Sequence, residues 1–156
     1  GFGYDIHQLK AGRPCILGGV HIESDLGPDG HSDADVLIHA LMDAMLGAAG
    51  LRDIGYYFPP EDDQYKGISS MLLLEKVNFL LKERGLQAYN IDIMVISETP
   101  KLKPHIDMMK ANLQSILEIP LDRISIKATT NEMLGAIGRR EGIAAQAVVS
   151  VYEGEI

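Results

Sequence analysis

The sequence has one cysteine, Cys15, among its 156 residues. A single chain therefore cannot form an internal disulfide bond, which is typical of proteins from a reducing compartment. Because Cys15 is followed by Ile16 and Leu17, we interpret it as a small buried hydrophobic residue.

Basic residues are also scarce, since 14 Lys and Arg stand against 22 Asp and Glu, for a net charge of −8. This balance excludes broad nucleic-acid binding, which needs a basic surface. Any phosphate ligand must therefore be held locally, by metal ions, helix termini and a few well-placed Lys or Arg side chains.

Long apolar runs are missing as well. Hydrophobic residues make up 46% of the chain, which is enough for a core, but no stretch approaches the ~20 unbroken apolar residues of a membrane span. Without repeats or low-complexity segments, we expect one catalytic domain over residues 1–156. The chain starts without Met inside a predicted strand, so we expect a trimmed or processed N-terminus.

Apolar periodicity predicts helices that alternate with strands. The predicted strands span 3–9, 13–20 (paired with 3–9), 89–97, 124–129 and 143–152, and the predicted helices span 33–47, 69–84 and 104–117. Residues 25–30 are expected to form a turn, 51–66 an ordered but mobile loop beside the site, and 135–142 a loop. This order predicts an α+β fold (an α/β sandwich), with a four- to five-stranded mixed sheet and three helices on one face. Small residues in 144–151 favour a homo-oligomer whose sheets face inward.

A polar stripe is expected along the first helix. Ser32 and Asp35 form a pair typical of a capping box, and a helix from Asp33 would align Ser32, Asp35, His39 and Asp43 on one face. Burying this stripe without partners would be costly, so we expect a metal there, with Asp43 accepting a hydrogen bond from His39.

Three residues form a candidate metal site. Asp5 and His7 lie two apart on a strand and so share a face, and His39 would add a third ligand from the helix. Catalytic zinc commonly has three such ligands and one open position. The alternative is that each histidine is an ordinary core or surface residue.

Two other segments are candidate phosphate sites. His31 precedes the first helix, where free N–H groups and the helix dipole favour an anion, and a diphosphate could bridge His31 and His39. Residues 127–132 follow a strand, and Glu132 could hold a second, hard cation such as Mg²⁺. The alternatives are a simple loop at His31 and a polar turn at 127–132.

These residues fall within blocks that together resemble the 2-C-methyl-D-erythritol 2,4-cyclodiphosphate synthase family over nearly the whole chain. The blocks are Gly-Tyr-Asp-Ile-His (3–7), Leu-Gly-Gly-Val (17–20), Gly-His-Ser-Asp-Ala-Asp-Val-Leu-Ile-His-Ala-Leu (30–41), Asp-Ile-Gly (53–55), Phe-Pro (58–59), Pro-Lys-Leu-x-Pro-His-Ile (100–106), Ile-Lys-Ala-Thr-Thr (126–130) and Gly-Arg-x-Glu-Gly-Ile-Ala (138–144).

The resemblance implies a lyase of the non-mevalonate isoprenoid pathway, a homotrimer with active sites between subunits. Its substrate would be 4-diphosphocytidyl-2-C-methyl-D-erythritol 2-phosphate, whose 2-phosphate attacks the phosphorus next to the erythritol and releases CMP. The product would be 2-C-methyl-D-erythritol 2,4-cyclodiphosphate. We expect no nucleic-acid or membrane partner, and a bacterial cytoplasm or, after loss of a transit peptide, a plastid stroma.

The resemblance also assigns residues to roles. It implies one Zn²⁺ per subunit on Asp5, His7 and His39, and a second cation, Mg²⁺ or Mn²⁺, on Glu132. It implies transition-state stabilisation by His31 and Thr130. The implied substrate-binding residues are Asp5, His7, His31, Ser32, Asp53, Ile54, Gly55, Phe58, Asp62, Pro100, Lys101, Leu102, Lys103, Ala128, Thr129, Thr130, Glu132 and Arg139, with Asp53 and Gly55 on the erythritol and 100–103 with 128–130 on the cytidine.

Two departures concern a cavity on the trimer axis that binds isoprenoid diphosphates in relatives. Ala136 replaces a common aromatic residue and Gln146 a frequent Glu, so isoprenoid binding is not expected to carry over unchanged. Two other functions remain open from the residues: a zinc-dependent phosphohydrolase that activates water, and a non-catalytic trimeric protein that binds isoprenoid diphosphates.

Overall fold

A computed structural model describes residues 1–154, which form a mixed five-stranded sheet, a separate two-stranded hairpin and helices packed on the sheet. The predicted domain, 1–156, includes two residues outside this range. The strands are β1 (Phe2–Ala11), β2 (Cys15–Leu17), β3 (Val20–Ile22), β4 (Leu26–Pro28), β5 (Leu86–Ile96), β6 (Ile124–Thr129) and β7 (Gly142–Glu153). The α-helices are α1 (Val36–Ala48), α2 (Ile54–Tyr57), α3 (Ser70–Lys82), α4 (Ile106–Leu117) and α5 (Gly135–Gly138).

The sheet has the strand order β4-β1-β7-β5-β6, with β5 and β6 parallel and the other neighbours antiparallel. Successive side chains of a strand point to opposite faces of the sheet. In β5, Ile91, Ile93 and Val95 are buried against the helices, while the residues between them point to the other face. The predicted α+β class and mixed sheet are therefore confirmed. Within residues 1–154 no helix has the length and apolar character to cross a bilayer.

Helix α1 lies at the centre of the core and is buried on nearly every side. It approaches β1 closely because Gly3 has no side chain: a Cβ there would lie 1.9 Å from the Ala40 carbonyl oxygen. This close approach is what brings the helix residue His39 within reach of side chains on β1.

The predicted pairing of 13–20 with 3–9 is wrong. Gly18 and Gly19 both have positive φ, 56° and 71°, so they form a tight turn that pairs β2 with β3 instead. The edges of β1 are taken by β7 and β4. Residues 26–28, expected in a turn, are therefore a strand.

The first helix begins later than predicted, at Val36 rather than near Asp33. Ala34 is in the left-handed region with φ 56°, which ends the helix upstream. Asp35 is the N-cap, and its Oδ1 accepts a hydrogen bond from the Ile38 N–H at 3.2 Å. Ser32 therefore lies outside the helix and does not cap it.

Two predicted loops contain short helices. In 51–66, α2 and a 3₁₀ turn at Asp63–Tyr65 are capped by the Asp53 and Asp62 side chains, and α5 lies within 135–142. The prediction for Cys15 is confirmed, since it is 1% exposed and burial raises the pKa of its thiol to about 11, with a smaller contribution from Asp35.

Candidate active site

Asp5, His7 and His39 converge on one point. The His7 Nε2 atom lies 2.8 Å from Asp5 Oδ2, and His39 Nδ1 lies 3.1 Å from the same oxygen. The two imidazole nitrogens are 3.2 Å apart. Among the described residues this is the group of His, Cys, Asp and Glu side chains whose donor atoms could hold one metal ion.

The donor set fits a tetrahedral divalent metal. Bonds of about 2.0–2.1 Å at tetrahedral angles place two donor atoms about 3.3 Å apart, close to the three separations found here. The ring of His7 is oriented for this role, because its Nδ1 is 2.8 Å from the Asp29 carbonyl oxygen. A carbonyl only accepts, so Nδ1 carries the proton and Nε2 is free to bind a metal.

The electrostatics of the three residues are coupled. Burial raises the pKa of Asp5, but hydrogen bonds from His39 and His7 outweigh it and hold this pKa at about 2. Burial lowers the pKa of His7, but the hydrogen bond and charge of Asp5 outweigh it and raise this pKa overall. Asp5 is therefore ionised at neutral pH, and its negative charge is available to a cation held together with the two imidazoles.

The expected hydrogen bond from His39 to Asp43 is absent among the described contacts, and that prediction is wrong. His39 Nε2 instead lies 2.9 Å from Ser70 Oγ and 3.2 Å from Ser32 Oγ. Asp43 accepts a hydrogen bond from the Ile54 N–H at 2.8 Å and so holds the start of α2.

Asp35, predicted on the same stripe, points away from the site. Its carboxylate is fully buried and accepts the N–H groups of Gly18 and Gly19 at 3.0 and 2.8 Å. Burial raises its pKa to about 6 although these bonds lower it. This contact could not be predicted from the sequence, because Gly18 and Gly19 lie 17 and 16 residues from Asp35.

A cavity of about 250 Å³ opens beside the metal candidates. Its lining includes His31 and Ser32 from the loop before α1, and Ile54, Gly55 and Phe58 from the α2 region, all predicted for substrate. The structure adds residues that the sequence analysis did not assign: Pro60, Tyr65 and Leu73. From the sequence, Leu73 is predicted only to lie on the apolar face of a helix, and nothing in the pattern indicates that it lines a cavity.

The helix tip itself is less available to an anion than predicted. The Ile38 N–H is bonded to the Asp35 carboxylate, and the Asp35 N–H to Asp33 Oδ1 at 3.2 Å. Anion contacts near this end of the cavity would therefore come mainly from the His31 and Ser32 side chains.

Asp53 and Asp62 do not line this cavity. Asp53 is exposed and accepts the Gly55 N–H at 3.2 Å, while the Asp62 side chain accepts the Gln64 N–H at 3.1 Å. The backbone oxygen of Asp62 lies 3.4 Å from His31 Nε2. Their observed roles in one chain are to shape the loop around His31 and α2.

A second cavity, of about 290 Å³, gathers the residues predicted for cytidine. It is lined by Pro100, Lys101, Leu102, Lys103, Ala128, Thr129 and Thr130, together with Val95, Ser97 and Glu98. Glu98 was missed by the sequence analysis; its Oε1 accepts the Asn131 and Met133 N–H groups at 2.9 and 3.2 Å. It thereby shapes the turn that carries Thr130 and Glu132.

Glu132 and Arg139 line neither cavity. Glu132 is exposed, in the left-handed region with φ 50°, and is not part of a converging ligand group in residues 1–154. Arg139 is exposed and pairs with Glu141, with its Nε 2.8 Å from Oε1.

A family model described as the YgbB family matches residues 1–152 of this chain. A protein of Synechococcus elongatus named 2-C-methyl-D-erythritol 2,4-cyclodiphosphate synthase is 60% identical over 95% of this chain and 92% of its own length. The chain belongs to the YgbB family of 2-C-methyl-D-erythritol 2,4-cyclodiphosphate synthases.

Solved structures of similar proteins have the same fold as the one found here. The bifunctional IspDF protein of Campylobacter jejuni superposes with a TM-score of 0.93 at 44% identity, covering 97% of this chain and 41% of that chain. A 2C-methyl-D-erythritol-2,4-cyclodiphosphate synthase solved in a CDP-bound form superposes with a TM-score of 0.90 at 37% identity, over 97% of this chain and 99% of that chain. Family membership supports an enzyme that forms a cyclic diphosphate over the hydrolase and the non-catalytic binding protein.

Proposed function

We propose that this chain converts 4-diphosphocytidyl-2-C-methyl-D-erythritol 2-phosphate into 2-C-methyl-D-erythritol 2,4-cyclodiphosphate and CMP, in the non-mevalonate isoprenoid pathway. An oxygen of the 2-phosphate attacks the phosphorus next to the erythritol, and the bond from that phosphorus to the CMP phosphate oxygen breaks. The observation that carries this proposal is the convergence of Asp5, His7 and His39 beside a cavity lined by His31 and Ser32.

The metal at Asp5, His7 and His39 is proposed to be Zn²⁺, one per subunit, because the ligand types and three-fold donor geometry suit it. When bound it supplies positive charge that neutralises phosphate oxygens and polarises the attacked phosphorus. Glu132 is proposed to hold a second cation, Mg²⁺ or Mn²⁺, on the diphosphate, since carboxylates suit hard cations.

The remaining steps belong to side chains. His31 donates a hydrogen bond from its ring to a phosphate oxygen, Ser32 contacts the same phosphate, and Thr130 donates its hydroxyl to the diphosphate in the transition state. No protein nucleophile is required, because the attacking oxygen is part of the substrate. The role of the protein is to hold two anions together while their charge is neutralised.

The rest of the substrate is proposed to occupy two places. Asp53, Ile54 and Gly55 hold the erythritol hydroxyls beside Phe58 and Asp62, and the second cavity, with Pro100–Lys103 and Ala128–Thr130, holds the cytidine. Support comes from the CDP-bound form of a relative that is 37% identical. Arg139 is proposed to contact substrate only after its pair with Glu141 opens.

A homotrimer with active sites between subunits would bring the metal site and erythritol-binding residues of one subunit next to the cytidine cavity of another. In one chain the metal candidates and the predicted cytidine residues line different cavities, and the sheet face away from the helices exposes apolar side chains. These are Phe2, Tyr4, Ile6 and Val148, at 61%, 48%, 48% and 54% exposed. The cyanobacterial relative supports a bacterial type of enzyme, working in the cytoplasm, or in a plastid stroma if the source is a plant or alga.

Product analysis tests this proposal. The purified protein with Zn²⁺ and Mg²⁺ is incubated with the substrate, and ³¹P NMR is expected to show the cyclic diphosphate and CMP in equal amounts. His39→Ala is expected to lose turnover and bound metal, and His21→Ala, which changes an exposed histidine on β3, is the matched control. Two linear phosphates would favour the hydrolase, and binding without turnover would favour the non-catalytic protein.

A further inference from the structure

A chain of hydrogen bonds runs from His39 to a carboxylate on the loop before α1. His39 Nε2 lies 2.9 Å from Ser70 Oγ, and the Ser70 hydroxyl donates to Asp33 Oδ1. The Ser70 N–H donates to the other oxygen, Asp33 Oδ2, at 2.9 Å. Ser70 is 0% exposed and His39 8%, so both are shielded from competing water.

The carboxylate of Asp33 decides which atoms donate in this series of hydrogen bonds. An ionised carboxylate accepts hydrogen bonds and donates none, so the single hydroxyl proton of Ser70 points at Asp33. The Ser70 oxygen can then only accept from His39, which places the ring proton on Nε2. The lone pair is left on Nδ1, the nitrogen that faces Asp5 and His7.

Ser32 contacts the same His39 nitrogen, Nε2, but does not decide whether this nitrogen carries the ring proton. Its Oγ lies farther away, at 3.2 Å, and accepts the Ala34 N–H at 3.3 Å rather than donating to a carboxylate. The hydroxyl of Ser32 remains free to rotate toward the cavity.

We propose that Asp33 and Ser70 are positioning residues that keep the proton of His39 on Nε2 and so present Nδ1 to the metal. This inference rests on the proposed metal site and adds to it two residues that touch neither substrate nor metal. Hydrogen-bond partners of metal-binding histidines fix the tautomer and raise ligand basicity, and their loss typically weakens metal binding by about 10- to 100-fold.

Asp33→Asn is the sharpest variant, because it keeps the size of the side chain and replaces one acceptor oxygen with an amide that donates. The remaining oxygen can still accept the Ser70 N–H, while the Asp35 N–H loses its bond to Oδ1. An amide can donate to Ser70 Oγ, which lets the Ser70 hydroxyl turn and donate to His39 Nε2. The ring proton would then move to Nδ1, where it blocks metal binding. Ser70→Ala removes the connection altogether.

The experiment measures Zn²⁺ affinity without substrate, by competition with a chromophoric chelator, for the parent, Asp33→Asn, Ser70→Ala and the double variant. We expect each single variant to bind about 10- to 100-fold more weakly. Because Asp33 acts through Ser70, adding Asp33→Asn to Ser70→Ala is expected to change the affinity by less than about 3-fold. In Co²⁺-loaded protein, the visible d–d bands are expected to shift in Asp33→Asn.

Ser69→Ala is the matched control, since Ser69 is the exposed N-cap of α3 and accepts the Met71 N–H. It loosens the same helix end without touching His39, and it is expected to keep the parent affinity. Thermal unfolding of the metal-free proteins shows whether each variant is folded; if Ser70→Ala is not, Asp33→Asn alone decides. Parent affinity in Asp33→Asn, or an equal loss in Ser69→Ala, would overturn the positioning role. Failure of the parent itself to bind Zn²⁺ would instead overturn the metal site.

Discussion

At the scale of single residues, the site depends on one carboxylate, Asp5, whose negative charge is stabilised by the imidazoles of His7 and His39. Asp5 stays ionised in a half-buried position because two imidazoles contact it. The ring of His7 is held in place by a hydrogen bond to a backbone carbonyl. Asp5 and His7 were predictable from their two-residue spacing and His39 from the helix pattern. Ser70 was not, because it is 31 residues from His39 and becomes its neighbour only when α3 packs on α1.

The low pKa of Asp5 predicts an acid-dependent stability. Its folded-state pKa, about 2, lies below the ordinary 3.8, so the folded protein binds fewer protons than the unfolded chain between these values. Its contribution is complete above about pH 4 and is lost as the pH falls toward 2, and is on the order of 2 kcal/mol. Urea unfolding of metal-free protein is expected to show parent and Asp5→Asn differing most at pH 6 and converging in acid. A difference that grows as the pH falls would contradict this.

Glu132→Gln is expected to weaken catalysis mainly through the second cation, since the neutral amide is a poorer ligand for Mg²⁺. Titrations of rate against Mg²⁺ should show a half-saturating concentration raised by about 10-fold or more, with Zn²⁺ content unchanged. Glu153→Gln, an exposed change at the far end of β7, serves as control. A parent rate that never responds to Mg²⁺ or Mn²⁺ would refute this role for Glu132.

At the scale of elements, the long periodic segments were predictable and the short ones were not. Helix α3 and strand β5 follow from their apolar spacing, because packing on one face needs that spacing. Strand β4 could not be predicted, since Leu26-Gly27-Pro28 has the composition of a turn and becomes a strand by pairing with the end of β1. The true start of α1 depended on Asp35, whose other partners are the distant Gly18 and Gly19.

Asp35→Ala is expected to be among the most destabilising single changes in this region. It removes the N-cap of α1, worth about 1 kcal/mol, and leaves the buried N–H of Gly18 without its acceptor, at about 1–3 kcal/mol more. Chemical unfolding at pH 7 should show a loss of roughly 2–4 kcal/mol. The raised pKa of Asp35 offsets part of this, since the cost of its ionisation builds up as the pH rises from about 4 to about 6 and is complete at pH 7. Asp25→Ala, at an exposed position, should change stability little, and equal losses in the two variants would contradict the account.

At the scale of the whole molecule, one chain places its functional residues in two cavities and leaves an apolar sheet face open. The composition allowed an inward-facing oligomer to be predicted from the small residues of β7. The sequence could not locate the exposed apolar side chains opposite the helices, because that depends on which residues of β1 and β7 share a face. Both features are accounted for by the proposed trimer.

Val148→Lys tests this arrangement. Val148 is 54% exposed and lies beside Asp92 in the register of β5 and β7, so a lone chain tolerates the cation while a packed apolar interface does not. Sedimentation is expected to show a trimer for the parent and smaller species for the variant, with turnover reduced at least about 100-fold but Zn²⁺ affinity retained. Phe79→Lys, at a 60% exposed residue of α3, should remain trimeric. A trimeric, fully active Val148→Lys would contradict the inward-facing sheets.

The account depends most on a metal ion held by Asp5, His7 and His39, and crystals of the zinc-loaded protein test it directly. Anomalous-difference maps collected above and below the zinc absorption edge are predicted to show one strong peak per chain, within about 2.0–2.2 Å of Asp5 Oδ2, His7 Nε2 and His39 Nδ1. A zinc-loaded crystal with no peak among these atoms, or with its zinc elsewhere, would contradict the account.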